Sequence, residues 1–322
     1  MRLRRSDVSA PGLRRVRAGR GFRYVDTAGR TVRDTEVKER IARLGIPPAW
    51  QEVWISPTAA GHIQATGLDA AGRLQYLYHE DWVSRRSRVK FLRARALAVA
   101  LPAARATVTR DLGLSTPSRE RALAVAFRFL DAAAPRLGGT RYLSTNGSHG
   151  LSTLLCSHVR IEGDAVLLEF PAKSAQVWTS RTHDPLLVRA LRPLLERGPA
   201  DRLLAWLDEE WRLVTAQEIN DDIRSRTHGD FTAKDFRTLH GTVTAAVSLA
   251  RSGPQPSAAA RRRAVRQAAE DAALELNNTP ATALKAYIDP LLVDAFEAGR
   301  TIDLSSGSRP EHALTALLGP VD

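Results

Sequence analysis

The stretch Gly229-Asp-Phe-Thr-Ala-Lys-Asp-Phe-Arg-Thr-Leu-His240 sets two cations, Lys234 and Arg237, just behind a helix-start signal. Thr232 followed three residues on by Asp235 is a capping box, so a helix begins here and carries both cations in its first turns. Free amides and the positive end of the helix dipole attract an anion at such a place, and the two side chains add to the attraction. The competing reading is an amphipathic helix that packs Phe236 and Leu239 and turns Arg237 to solvent. Of 47 basic residues only five are lysines: Lys38, Lys90, Lys173, Lys234 and Lys285. Arginine keeps its proton near neutral pH whereas a desolvated lysine need not, so each surviving lysine is a candidate for a place where a proton moves.

Other chemistries lack their residues. The sequence has no Gly-x-x-x-x-Gly-Lys-Ser/Thr loop, no His-Glu-x-x-His and no Asp-x-Asp pair. Nucleotide hydrolysis and zinc proteolysis therefore have no support. Two acidic groups, Asp208-Glu209-Glu210 and Glu218 with Asp221 and Asp222, read as solvated faces more readily than as metal sites, and no metal or other cofactor is expected. The single cysteine, Cys156, excludes an intrachain disulfide and suits a reducing cytoplasm. Its apolar neighbours point to a small buried residue.

The elements that must position the cations fall into two groups. Phe22–Asp26, Glu52–Ser56, His62–Thr66 and Arg73–Tyr78 read as strands separated by turns. From about Ser84 the apolar spacing becomes helical, over 88–104, 118–133, 185–195, 200–207, 216–227, 234–250, 257–276 and 282–298. Residues 158–162 and 165–170 interrupt the helices as a hairpin, with 176–179 as a third strand. The expectation is an α+β chain: a small antiparallel sheet domain over 1–83, then a larger, mostly helical domain over 84–322 containing a short three-stranded antiparallel sheet. Lys and Arg outnumber Asp and Glu by 47 to 35, a net +12, and residues 1–90 hold 18 basic against 9 acidic side chains. Such a surplus calls for a polyanionic partner, nucleic acid before membrane. No apolar run is long enough to span a bilayer.

Four segments in order carry a family resemblance. Lys234-Asp235-Phe236-Arg237-Thr238 resembles the signature of type IB DNA topoisomerases. Gly61-His-Ile-Gln-Ala-Thr-Gly67 followed by Leu74-Gln75-Tyr76-Leu77-Tyr78-His79 resembles the family's DNA-clamping hairpin. Pro135-Arg136-Leu137-Gly138, with Tyr142 and Gly150-Leu151-Ser-Thr-Leu154, is similar to its first catalytic-arginine region. Asn278-Thr279-Pro280 followed by Lys285-Ala286-Tyr287 is similar to its tyrosine box.

The resemblance implies Tyr287 as nucleophile, Arg136 and Arg237 as the arginines on the scissile phosphate, and Lys173 as the hairpin lysine acting as general acid. Asn278 falls where many members have histidine; its amide can donate a neutral hydrogen bond but supplies no charge. Gln75, Tyr76, Tyr142 and Lys234 become DNA-binding residues. The implied activity is relaxation of supercoiled duplex DNA through a 3′-phosphotyrosyl intermediate, strand rotation and religation, without ATP or an obligatory metal. The expected setting is a monomer acting on duplex DNA in the bacterial nucleoid, with no protein partner and no membrane. Elementary chemistry agrees: two planar guanidinium forks match the charge that builds on a phosphodiester under attack, and a lysine can protonate the departing 5′-oxygen. The residues themselves name no base for the tyrosine.

Two alternatives share parts of this pattern. Tyrosine recombinases use the same Arg, Lys, Arg, Tyr chemistry, but carry His three residues before the second arginine, where this chain has Lys234, and lack the strand-rich clamp. A non-enzymatic basic DNA-binding protein would leave plasmid linking number unchanged.

Overall fold

A computed structural model describes residues 2–173, 176–305 and 307–319; the side chains of Arg141 and Tyr142 lie outside the described part. The architecture is α+β, and the chain divides into two compact units, residues 1–89 and 90–322.

In the first unit, β1 (Leu13–Ala18), β2 (Gly21–Val25), helix α1 (Thr35–Arg43), β3 (Gln51–Ile55), β4 (Ile63–Leu68) and β5 (Leu74–Tyr78) build a five-stranded sheet of order β2-β1-β3-β4-β5 with one helix on it. Neighbouring strands in this sheet run antiparallel. Asp34 caps α1 by accepting the Val37 amide, and Ile41 enters a small core with Leu13, Val53, Ile55 and Ala65. Arg40 ties the helix to the sheet through Gln64 Oε1 at 2.8 Å and the Ser56 carbonyl at 2.6 Å. The β1 strand and α1 escape the sequence reading. β1 reads Leu-Arg-Arg-Val-Arg-Ala, whose arginines mask the two-residue alternation.

Helix α2 (Glu80–Leu112) contains the boundary between the units. The second unit continues with α3 (Arg119–Ala133), α4 (Thr140–Asn146), β6 (Val159–Glu162), β7 (Ala165–Pro171), β8 (Val177–His183) and α5 (Pro185–Leu195). It then runs through β9 (Ala205–Leu207), β10 (Trp211–Leu213), α6 (Ala216–Thr227), α7 (Ala233–Ser252), α8 (Ala258–Leu276), α9 (Pro280–Ala286), α10 (Pro290–Glu297) and α11 (Pro310–Leu318). The antiparallel sheet β6-β7-β8 is the expected hairpin with its third strand. The large core centres on α3 and α7, where Phe127 and Phe236 meet edge to face at 5.3 Å.

Two expected helices are corrected. Residues 200–207 are not helical: Cys156 and Leu203 donate to the carbonyls of Asp201 and Leu154, and the segment ends in β9, paired with β10. Its apolar residues are buried beside one another on an extended path, which a helix-period count cannot separate from one helix face. The span 282–298 is two helices, α9 and α10, broken at Tyr287-Ile-Asp289. Asp289 caps α10 by accepting the Leu291 amide, and Pro290 opens it, a start signal present in the sequence.

Candidate active site

The helix start read from Thr232 and Asp235 forms as α7: the Asp235 carboxylate accepts from Thr232 N at 2.8 Å and Thr232 Oγ1 at 2.9 Å. Arg93 of α2 grips the same carboxylate, Nη2 to Oδ2 at 2.9 Å, so the end of α7 that bears both cations is fixed from two sides. Lys234 is exposed there. Arg237 is not: only 4% of its surface reaches solvent, which overturns the reading that turned it outward.

Arg237 is held by main chain. Nη1 donates to the Ala134 carbonyl at 2.7 Å and Nη2 to the Leu276 carbonyl at 2.8 Å. These carbonyls end α3 and α8, which turn through left-handed residues at Ala134 (φ 44°) and Asn277 (φ 48°). The guanidinium carbon lies 5.2 Å from the centre of the Tyr287 ring and 5.5 Å from that of Trp178 on β8. Its buried Nε has no hydrogen-bond partner among the described residues.

Arg136 follows the turn out of α3, and its Nη2 donates to Asn278 Oδ1 at 2.8 Å. Asn278 Nδ2 donates in turn to the Leu276 carbonyl at 3.3 Å, so both arginines and the asparagine converge on the end of α8. The loop that shows Arg136 depends on two glycines in contact. A Cβ on Gly150 would stand 2.6 Å from both the Arg136 carbonyl and Gly138 Cα, and Gly138 itself has φ +73°. Leu151 and Ser152 then donate to the carbonyls of Arg136 and Leu137, both at 2.8 Å.

Tyr287, half-buried, ends α9 with φ −134° and ψ −11°. Thr242 Oγ1 donates to its carbonyl at 2.8 Å and accepts the Asp289 amide at 3.2 Å. Gly241 on α7 lets the chain this close; a Cβ there would lie 2.6 Å from Tyr287 Cβ. Burial works to raise the phenol's pKa, but Arg237, Arg136 and Lys234 outweigh it and hold the group below its ordinary value. Arg237 is itself pushed down, by burial and then by Arg136, against the pull of Tyr287. Two cations thus stand close together in a desolvated place, an arrangement that gains when negative charge arrives between them.

The structure therefore brings Tyr287, Arg237, Arg136 and Asn278 together, with Lys234 near enough to act electrostatically on the tyrosine. Lys173 is exposed in the connection from β7 to β8, where Ala172 donates to the Gln176 carbonyl at 2.7 Å, and no hydrogen bond joins it to this group among the described residues. Asn277 Nδ2, donating to the Val177 carbonyl at 3.1 Å, ties the start of β8 to the residue before Asn278. In the first unit, Tyr76 is exposed on β5 and stacks with Tyr78 at 6.0 Å, while Gln75 donates to Asp69 at 2.9 Å. The Tyr142 side chain lies outside the described part. The acidic groups considered for a metal have cationic partners: Arg119 on Glu218, Arg224 on Asp221, Arg226 on Asp222 and Arg212 on Asp208. Sequence reasoning missed Gly241, Thr242 and Trp178. It flagged Lys90 only as one lysine of five, and Lys90 Nζ donates to the Ala286 carbonyl at 2.8 Å.

A strand-rich basic unit, and a helical unit that gathers two arginines about a tyrosine, make up a type IB topoisomerase, and comparison with known proteins agrees. Residues 21–69 match the family described as bacterial DNA topoisomerase IB, N-terminal domain, and residues 80–290 match eukaryotic DNA topoisomerase I, catalytic core. The second match covers more than half of the sequence, and the chain belongs to the type IB DNA topoisomerase family. Among curated relatives, the DNA topoisomerase 1B of Acanthamoeba polyphaga mimivirus is 27% identical over 286 residues, 86% of this chain and 85% of the relative. No helix among the described residues is long and apolar enough to cross a membrane.

Proposed function

We propose that this enzyme relaxes supercoiled duplex DNA through a covalent bond between Tyr287 and a DNA 3′-phosphate. Tyr287 gives its phenol proton to water, Oη attacks the phosphorus, the bond to the 5′-oxygen breaks, and Lys173 gives that oxygen a proton. The freed 5′-hydroxyl strand rotates and then attacks the phosphotyrosine, returning its proton to Lys173, while the departing phenolate takes a proton back from water. The energy of the broken phosphodiester is kept in the new one, so the cycle needs no ATP. Arg136 and Arg237 neutralise the nonbridging oxygens as charge builds there, a service elsewhere given by metal ions. Asn278 orients Arg136 through Oδ1 and rests one hydrogen of Nδ2 on the Leu276 carbonyl, which leaves the other as its donor toward the phosphate. Residues 1–83 form the clamp, with Gln75 and Tyr76 on the DNA, and residues 84–322 carry the chemistry, assisted by Tyr142 and Lys234 on the duplex. The enzyme works as a monomer on nucleoid DNA in the cytoplasm.

The observation that carries this reading is Tyr287 set against the buried Arg237, with its pKa drawn down by Arg237, Arg136 and Lys234. That cationic surrounding raises the share of Tyr287 present as the attacking phenolate at a given pH. The test is plasmid relaxation in EDTA without ATP, comparing the natural chain with Tyr287→Phe. Relaxation by the first and none by the second supports the reading; relaxation and covalent adducts from Tyr287→Phe remove Tyr287 from its role.

A further inference from the structure

Helix α9 delivers Tyr287 with only seven residues. A helix this short has few internal bonds to steady its end, and its last carbonyls have no amide further along to accept from. Ala283 O takes two amides, those of Tyr287 at 2.9 Å and Ile288 at 3.1 Å. The carbonyl of Ala286, the residue immediately before Tyr287, instead meets a charged donor from 196 positions away, Lys90 Nζ at 2.8 Å. The same ammonium lies 4.1 Å over the Phe91 ring, which is itself buried. A cation at the carbonyl end of a helix also complements the dipole. Thr242 grips the carbonyl on the other side of Tyr287, so consecutive peptides around this residue are held by α2 and α7.

We propose that Lys90 is a positioning residue for the nucleophile: its ammonium fixes the peptide before Tyr287 and thereby the line along which the phenol oxygen meets the phosphorus. The proposal rests on Tyr287 being the nucleophile. Lys90 does not act on the phosphate; it acts through the main chain that carries the tyrosine. The charged groups facing it are Lys234 on α7 and Asp289 at the start of α10, with the Phe91 ring beside it. Burial, then Lys234, lower its pKa to about 8 against the pull of Asp289. The cation is therefore present at neutral pH and is lost on modest alkalinisation, leaving a neutral amine that makes a weaker bond to the carbonyl.

The experiment is single-turnover covalent adduct formation by the full chain on a nicked duplex that cannot religate, comparing Lys90→Met and Lys90→Arg with the natural protein from pH 7 to 9.5. Lys90→Met should cleave roughly 10- to 100-fold more slowly, the range expected of a misplaced reacting group, while duplex affinity and melting temperature stay close to the natural protein's. Lys90→Arg should recover most of the rate, and the ratio of its rate to the natural one should climb above pH 8, where lysine loses its charge and arginine does not. Natural cleavage by Lys90→Met would overturn the proposal. So would equal losses in both variants accompanied by a lowered melting temperature, which would mark a merely structural contact. Adducts from Tyr287→Phe in the same assay would instead overturn the assignment of the nucleophile beneath it.

Discussion

Replacing Gly241 with alanine sets two effects of opposite sign against each other at one atom. The position lies inside α7, where alanine is favoured over glycine by about 1 kcal/mol. The added methyl would stand 2.6 Å from Tyr287 Cβ and 3.0 Å from both the Tyr287 carbonyl oxygen and Leu276 Cδ1. An ordinary contact begins near 3.4 Å, so Tyr287 Cβ must retreat by just under about 1 Å, and overpacking of this kind costs about 1–3 kcal/mol. The tyrosine is not free to yield, because Thr242 on the next position holds its carbonyl at 2.8 Å. Net stability should therefore fall by about 0–2 kcal/mol once the helix gain is subtracted, a modest change. The cleavage rate should fall by about 10²-fold, since a displacement near 1 Å at a reacting group is worth that much. Denaturant unfolding and single-turnover adduct formation on the same preparation give both quantities. A variant that unfolds as expected yet cleaves at the natural rate would show that the closeness of α7 to Tyr287 has no bearing on the chemistry.

Lys173→Ala should slow cleavage of ordinary DNA by about 10²–10⁴-fold but slow DNA with a bridging 5′-sulfur far less, because a thiolate leaves without a proton; equal defects on both would leave Lys173 as a bare charge. Arg237→Ala should show no such rescue, its task being the nonbridging oxygens. With the charge at position 90 held fixed by Lys90→Arg, the cleavage rate should rise with pH as the phenol ionises, with its inflection below the usual tyrosine value because neighbouring cations lower that pKa. In Arg136→Ala the inflection should move upward, and an unmoved one would deny Arg136 any hold on Tyr287. Duplex affinity of this +12 protein should drop steeply with salt in a filter-binding titration, as counterions leave the DNA; a flat response would mean that few phosphates are touched.

What could be read from the sequence was local in character. Thr232, Asp235 and the apolar spacing after them describe the start of α7 within a few residues, and the hairpin of β6 and β7 announces itself by Gly163 between two alternating runs. The break at Tyr287 was also written locally, in Asp289-Pro290, but an unbroken apolar period across 282–298 hid it. Contacts that join distant segments could not be read. Nothing near Lys90 marks it as the partner of Ala286, and nothing near Arg237 says that its two terminal nitrogens reach Ala134 and Leu276. Gly241 looks like any glycine in a helix until the chain 46 positions later is seen lying on it.

The grip on Tyr287 falls on its backbone, and this has a mechanical meaning in the covalent state proposed above. A rotating strand twists against the atom to which its neighbour is bonded, and that torque passes from the phosphate through the phenol ring to the tyrosine's Cα. Were α9 the only support, seven residues of helix would take the load. The Thr242 bond to the Tyr287 carbonyl and the Lys90 bond to the Ala286 carbonyl divert it into α7 and α2, helices of 20 and 33 residues. The ring remains the compliant link and the backbone the anchor, so the bond under strain can turn without its attachment point being dragged along.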